Sequence, residues 1–228
     1  KLGSRTGEWG AVWQRFAENP SRYPNLPALL DQARPSVVPL FGDMDPHPDS
    51  WPSWNRDQED ALRSALNALG THPDPRGRVE ELAAAHTSRE DSVWAVLGQA
   101  PLAKAVGHLA ELVDRVATAP TATDLKTQIA WYSDEGHVID DLALRTIATA
   151  KTAQDRSAVA HALAAIYDPW ADQSPRAFQK AAVGSYSGQT GLDVVAGTCV
   201  VYVDALRYDL ATRVARRLPG LAVVVEPR

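Results

Sequence analysis

The sequence predicts a mainly α N-terminal helical domain, residues 1–183, followed by the first β-α-β of an incomplete α/β domain, residues 198–228. Three observations predict it. Up to Val183, apolar residues recur at helical spacing in one segment after another. The small, polar run "GSYSGQTG" then changes the texture, and residues 184–197 read as a linker. Beyond it, two apolar runs flank a four-residue periodicity.

Within the helical domain, Trp9, Val12, Trp13 and Phe16 form one apolar face. Pro20, Pro24 and Pro27 punctuate a short helix marked by Leu26, Leu29 and Leu30. Residues 35–54 hold Pro35, Pro39, Pro46, Pro48 and Pro52, and are expected to form an extended Pro-rich loop. Asp57 is the expected cap of a helix that turns Ala61, Leu62, Ala65, Leu66 and Leu69 inward. Residues 70–77 read as a loop, and Ser88 with Asp91 as a capping box before Val93, Trp94 and Leu97. Further helices are expected over 101–117, 123–132, 135–150 and 154–167, with a break at Pro169-Trp170 before a last one over 175–183. No fixed-period repeat is present, which argues against a solenoid.

After the linker, Thr198 to Val203 is apolar and β-branched without alternation, the pattern of a strand buried on both faces. Leu206, Leu210, Val214 and Leu218 form one helical stripe, with Arg207, Arg213, Arg216 and Arg217 largely off it. Pro219-Gly220 ends the helix, and Leu221 to Val225 is the second expected strand.

The composition excludes several classes. The chain of 228 residues is 45% hydrophobic and 22% charged, which suits a globular core. A net charge of -5 gives no support to nucleic-acid binding over the whole surface. Cys199 is the one cysteine, so no internal disulfide or cysteine-based zinc site can form, and a reducing, cytoplasmic compartment is expected. No apolar stretch approaches the length of a membrane span. The chain starts at Lys1 without a signal-peptide pattern, and is expected to be a piece of a longer protein.

Asp204 ends the first apolar run. At the carboxyl end of a parallel strand and beside a helix N-terminus, a carboxylate is placed to hold a divalent metal through oxygen. Aspartate is equally a favoured helix cap, and position alone favours the cap. The next residues remove three kinds of site. An aspartyl-nucleophile phosphatase needs Asp two residues on, where Leu206 stands. An integrin-type site wants serines where Ala205, Leu206 and Arg207 stand. A Walker-B acid needs a phosphate loop, and "GSYSGQTG" lacks the lysine and the preceding strand.

The run "VVYVDALRYDLATRVARRL" resembles the opening of the core domain of the PglZ family, phage-growth-limitation and bacteriophage-exclusion defence proteins within the alkaline phosphatase superfamily. The likeness lies in the apolar strand, then Asp204, Ala205, Leu206, Arg207, Tyr208 and Asp209, then an amphipathic helix, and covers about the last thirty residues. "YDPWADQSPRAF", residues 167–178, is compatible with the helical region before that core. The resemblance implies an alkaline-phosphatase-like α/β core in which Asp204 ligates one of two catalytic metals, usually zinc. Arg207 and Asp209 match the family pattern without an implied role. In that superfamily the Ser or Thr nucleophile and the remaining ligands follow the second strand. Residues 198–228 therefore hold only the first ligand, no catalytic residue and no cofactor-binding residue, and are expected to be inactive alone. Implied partners are other phage-defence proteins, and nucleic acid through the parent; no membrane is implied.

"SDEGHVIDD" gathers Asp134, Glu135, His137, Asp140 and Asp141, and His137 and Asp141 have the helical spacing of a shared metal, although a solvated helix start is the commoner meaning. Trp9, Trp13, Trp94, Trp131 and Trp170 are expected in helix packing, whereas Trp51 and Trp54 are candidates for an exposed docking surface. They support an alternative function: a helical protein-interaction module that assembles a defence complex without catalysis, with Asp204 capping its helix. The Arg213, Arg216 and Arg217 face reads as a solvated helix face able to touch phosphate.

Overall fold

A computed structural model describes residues 1–33, 46–119, 124–184, 196–197, 199–201, 203, 206–218, 220 and 223–225. The described residues are mainly helical. In chain order the helices are α1 (Trp9–Glu18), α2 (Leu26–Ala33), α3 (Pro52–Ala68), α4 (Pro75–Glu90), α5 (Val93–Val96), α6 (Pro101–Thr118), α7 (Leu125–Trp131), α8 (His137–Thr149), α9 (Ala153–Ile166), α10 (Asp168–Ala182) and α11 (Tyr208–Ala215).

The centre of the fold is α6. Its Leu102, Ala103, Ala105, Val106, Leu109, Leu112 and Val113 are all buried, a stripe wide enough to take neighbours on several sides. It packs between α4 and α8 and also meets α9, while α3 lies along α9. Leu62 and Leu66 of α3, Val79 of α4, Ile139 and Leu142 of α8, and Ala158, Val159 and Ile166 of α9 complete this core. Small residues on α6 and α9 (Ala103, Ala105, Ala158, Ala162) let the helices approach closely.

The helix starts are encoded locally. Prolines occupy the first turn of α3, α4, α6 and α10, where a missing N–H costs nothing. Asp74 caps α4 by accepting from the Gly77 N–H at 3.0 Å, Ser92 caps α5 through Ala95, and Thr152 caps α9 through Asp155. This corrects several boundaries. Helix α3 begins at Pro52, so Asp57 lies inside it. The capping serine is Ser92, and Ser88 belongs to the last turn of α4. The 70–77 stretch includes the start of α4 at Pro75. Helix α10 starts at Asp168 and runs through Pro175 without stopping. Pro175 is exposed, on a helix that buries no residue, where water can satisfy the carbonyl freed by the missing N–H.

The Pro-rich loop is shorter than expected: Pro48–Ser50 forms a tight helical turn that leads directly into α3. Residues 34–45 lie outside the described residues. Trp51 is 6% exposed and belongs to the core, Trp54 packs against it, and the pair forms no exposed docking surface. The Trp51 ring covers Gly3, where an added Cβ would come within 2.5 Å of it. Trp13 and Trp94 are core residues and Trp131 and Trp170 pack on the core, but Trp9 is exposed at 42%.

Beyond α10, most of the expected linker (185–195) lies outside the described residues. Of the expected β-α-β, the helix is present as α11. Among the described residues of its flanks, 199–201, 203 and 223–225, there is no strand. A parallel strand forms only when a neighbour takes its backbone groups, and no such ladder occurs among the described residues. Val201 and Val224 are 75% and 79% exposed, and Cys199 is exposed too, where the sequence pattern predicted burial on both faces.

Candidate functional site

The polar cluster closest to the Asp204 motif lies where α11 meets the helical domain. Helices α7 and α8 run into each other through one π-helical turn, Tyr132–Gly136. Such a wide turn re-aims the side chains that follow it and is frequent at functional positions. Here it carries Tyr132, and α8 carries His137, Asp140 and Asp141. Tyr167 enters from the end of α9.

Asp140 is buried and accepts from two phenols: Tyr132 donates to Oδ2 at 2.5 Å and Tyr167 donates to Oδ1. Burial, reinforced by these hydrogen bonds to Asp140, holds both phenols far above the ordinary tyrosine range. They are permanent donors, unsuited to act as bases or phenolate nucleophiles.

Arg207 and Asp209 complete the cluster from the other side. The Arg207 guanidinium grips Asp209 with two bonds, Nε to Oδ1 at 3.1 Å and a terminal nitrogen to Oδ2 at 3.2 Å. The same terminal nitrogen lies 3.6 Å from Asp140 Oδ1. Asp209 is fully buried in the first turn of α11, where the helix N-terminus favours a negative charge. Burial works against the Arg207 charge, but Asp209 and Asp140 outweigh it and raise its pKa further. One residue on, the Tyr208 ring stands edge-on to His137 at 5.3 Å and tilted to Tyr132 at 6.2 Å. A turn further, Arg213 Nε reaches Asp141 Oδ1 at 3.3 Å.

The acidic run assembles no metal site among the described residues. Asp140 accepts from two phenols and lies beside Arg207, Asp141 is ion-paired with Arg213 although its Oδ1 makes no hydrogen bond, and Asp134 and Glu135 are exposed. His137 places Nδ1 3.2 Å from the Tyr132 carbonyl, to which it donates, and its buried Nε2 has no hydrogen-bond partner among the described residues. No group of three or more His, Cys, Asp or Glu able to hold a metal occurs among the described residues. Asp204, the expected ligand, lies outside the described residues, as does Glu226 beyond the second apolar run.

Two of the four motif arginines do more than solvate a helix: Arg207 and Arg213 pair with carboxylates of α8, while Arg216 and Arg217 stay exposed. Sequence reasoning missed Tyr132 and Tyr167, and nothing local announces them. Their common partner, Asp140, is 8 residues from one and 27 from the other.

A second buried network sits on the opposite side of α6. Arg89 and Glu59 pair at 2.7 Å, and Arg89 also reaches the Asn55 side chain at 2.7 Å and the His86 Nδ1 at 3.2 Å. Glu59 in turn accepts from the Leu102 and Ala103 backbone at the start of α6. Every polar partner here is structural: the network caps a helix and ties α3 to α4.

No family model, no curated protein and no solved structure matches the chain. Among the described residues, no helix is long and apolar enough to cross a membrane.

Proposed function

We propose that this chain is part of a PglZ-like phage-defence protein, a cytoplasmic metal-dependent phosphoester hydrolase in which Asp204 supplies one carboxylate to a zinc-type cation. The observation that supports the reading is the motif "VVYVDALRYDLATRVARRL". Asp209 of the same motif is buried and bound to Arg207, so this reading gives the metal role to Asp204 and a structural role to Asp209. The helical domain then serves as the platform on which the start of an α/β core is held. In this reading the parent protein supplies the remaining ligands and the nucleophile. Other defence-system proteins, and nucleic acid through the parent, are the partners this reading carries.

The alternative, a helical assembly module, drew on apolar helical surface and on the Trp51/Trp54 loop. Trp51 belongs to the core, which removes the loop from that reading, while apolar helical surface such as Val12, Leu29 and Ile147 stays exposed.

The test is hydrolysis of an aryl phosphomonoester and a bis-aryl phosphodiester by the longer protein that contains this chain. Asp204→Asn is expected to lower turnover by at least about a hundredfold. Unchanged turnover removes Asp204 from the chemistry.

A further inference from the structure

Helix α11 is docked the wrong way round for an amphipathic helix. Most of its apolar stripe faces outward: Leu206, Val214 and Leu218 are at 40%, 53% and 42% exposure, while Leu210 is half-buried. Its polar side, Asp209 and Arg213, faces α8. No α11 residue belongs to the hydrophobic core, which closes within α1 to α9. Ordinary apolar burial therefore does not explain why α11 stays on the domain. The Tyr208 ring adds an aromatic contact with His137 and Tyr132.

We infer that two ion pairs from segment 206–218 to α8, Arg207–Asp140 at 3.6 Å and Arg213–Asp141 at 3.3 Å, form a releasable clasp, which holds the segment on α8 by charge and lets it go without unfolding the helical domain. The bidentate Arg207–Asp209 fork lies within the segment and aims the guanidinium at Asp140. It is also a condition for burying Asp209: without Arg207, a fully buried carboxylate loses its counter-charge, and leaving the contact becomes the cheaper state. Asp140 sets the seat, because its oxygens are themselves aimed by Tyr132 and Tyr167.

Hydrogen exchange of the purified chain, in the presence of a chelator, tests the clasp independently of any metal. Arg207→Gln is expected to speed exchange of the α11 amides by at least about tenfold, with α3 and α6 unchanged. Asp140→Ala should do the same. Arg207→Lys, which keeps the charge but not the fork, should fall between. Val214→Ser, in the exposed stripe, should leave α11 exchange as in the wild type. The clasp is overturned if Arg207→Gln leaves α11 protected, if it speeds α3 and α6 equally or prevents folding, or if Val214→Ser is what releases the helix. Because no outcome depends on Asp204, a failed ligand assignment leaves the clasp standing, and the reverse also holds.

Discussion

Arg89 and Glu59 face each other inside the bundle, their side chains 4% and 7% exposed and 2.7 Å apart. Burial pushes both toward their neutral forms, raising Glu59 and lowering Arg89, while their mutual attraction works the other way. A pair in this position stabilises less than its distance suggests, yet neither half can be lost cheaply.

Arg89→Met therefore leaves Glu59 buried without its counter-charge and should cost about 3–5 kcal/mol. Adding Glu59→Gln removes the second charge but keeps an acceptor for the Leu102 N–H. The double variant should then be more stable than Arg89→Met alone. Denaturant midpoints of the two variants check the order.

Acid stability should turn on Asp155. Burial alone would raise its pKa, but bonds from Thr152 and Arg63, the latter at 2.8 Å, hold it below the ordinary carboxylate range. The native state thus binds this proton less readily than the unfolded chain. Its contribution is fully present above about pH 4 and is lost as pH falls through the depressed folded value. Asp155→Asn should flatten the fall in thermal midpoint below about pH 4, at the expense of stability at neutral pH. Parallel pH profiles for the two proteins would remove Asp155 from the account.

Gly136 closes the π-helical turn with no room for a side chain. An added Cβ would come within 2.7 Å of the Trp131 ring and 2.9 Å of the Tyr132 ring. Gly136→Ala must displace these rings, at about 1–3 kcal/mol. Because Tyr132 aims Asp140, the substitution should also loosen α11. Chemical denaturation measures the first effect, and exchange of the α11 amides the second.

Much of the helical domain is legible from spacing and punctuation. The segment expected over 101–117 is α6, Pro101–Thr118, and that expected over 154–167 is α9, Ala153–Ile166. Misreadings came where one residue supports two meanings. Pro52 closes a loop or opens a helix, and Ser88 and Ser92 both suit a cap. The clasp was legible only by half. Arg207 and Asp209 stand in one motif, but Asp140 lies 67 residues earlier, and only tertiary packing pairs them. The flanking apolar runs predicted strands from composition, but no strand occurs among their described residues; apolar, β-branched composition alone does not make a strand, whose backbone groups a neighbour must take.

The most direct measurement of the central claim is zinc content after equilibrium dialysis of the longer protein, comparing Asp204→Asn with Asp209→Asn. Asp204→Asn should lose at least one equivalent of metal, while Asp209→Asn, which removes only the partner of Arg207, retains the wild-type stoichiometry. Full zinc occupancy in Asp204→Asn would contradict the account.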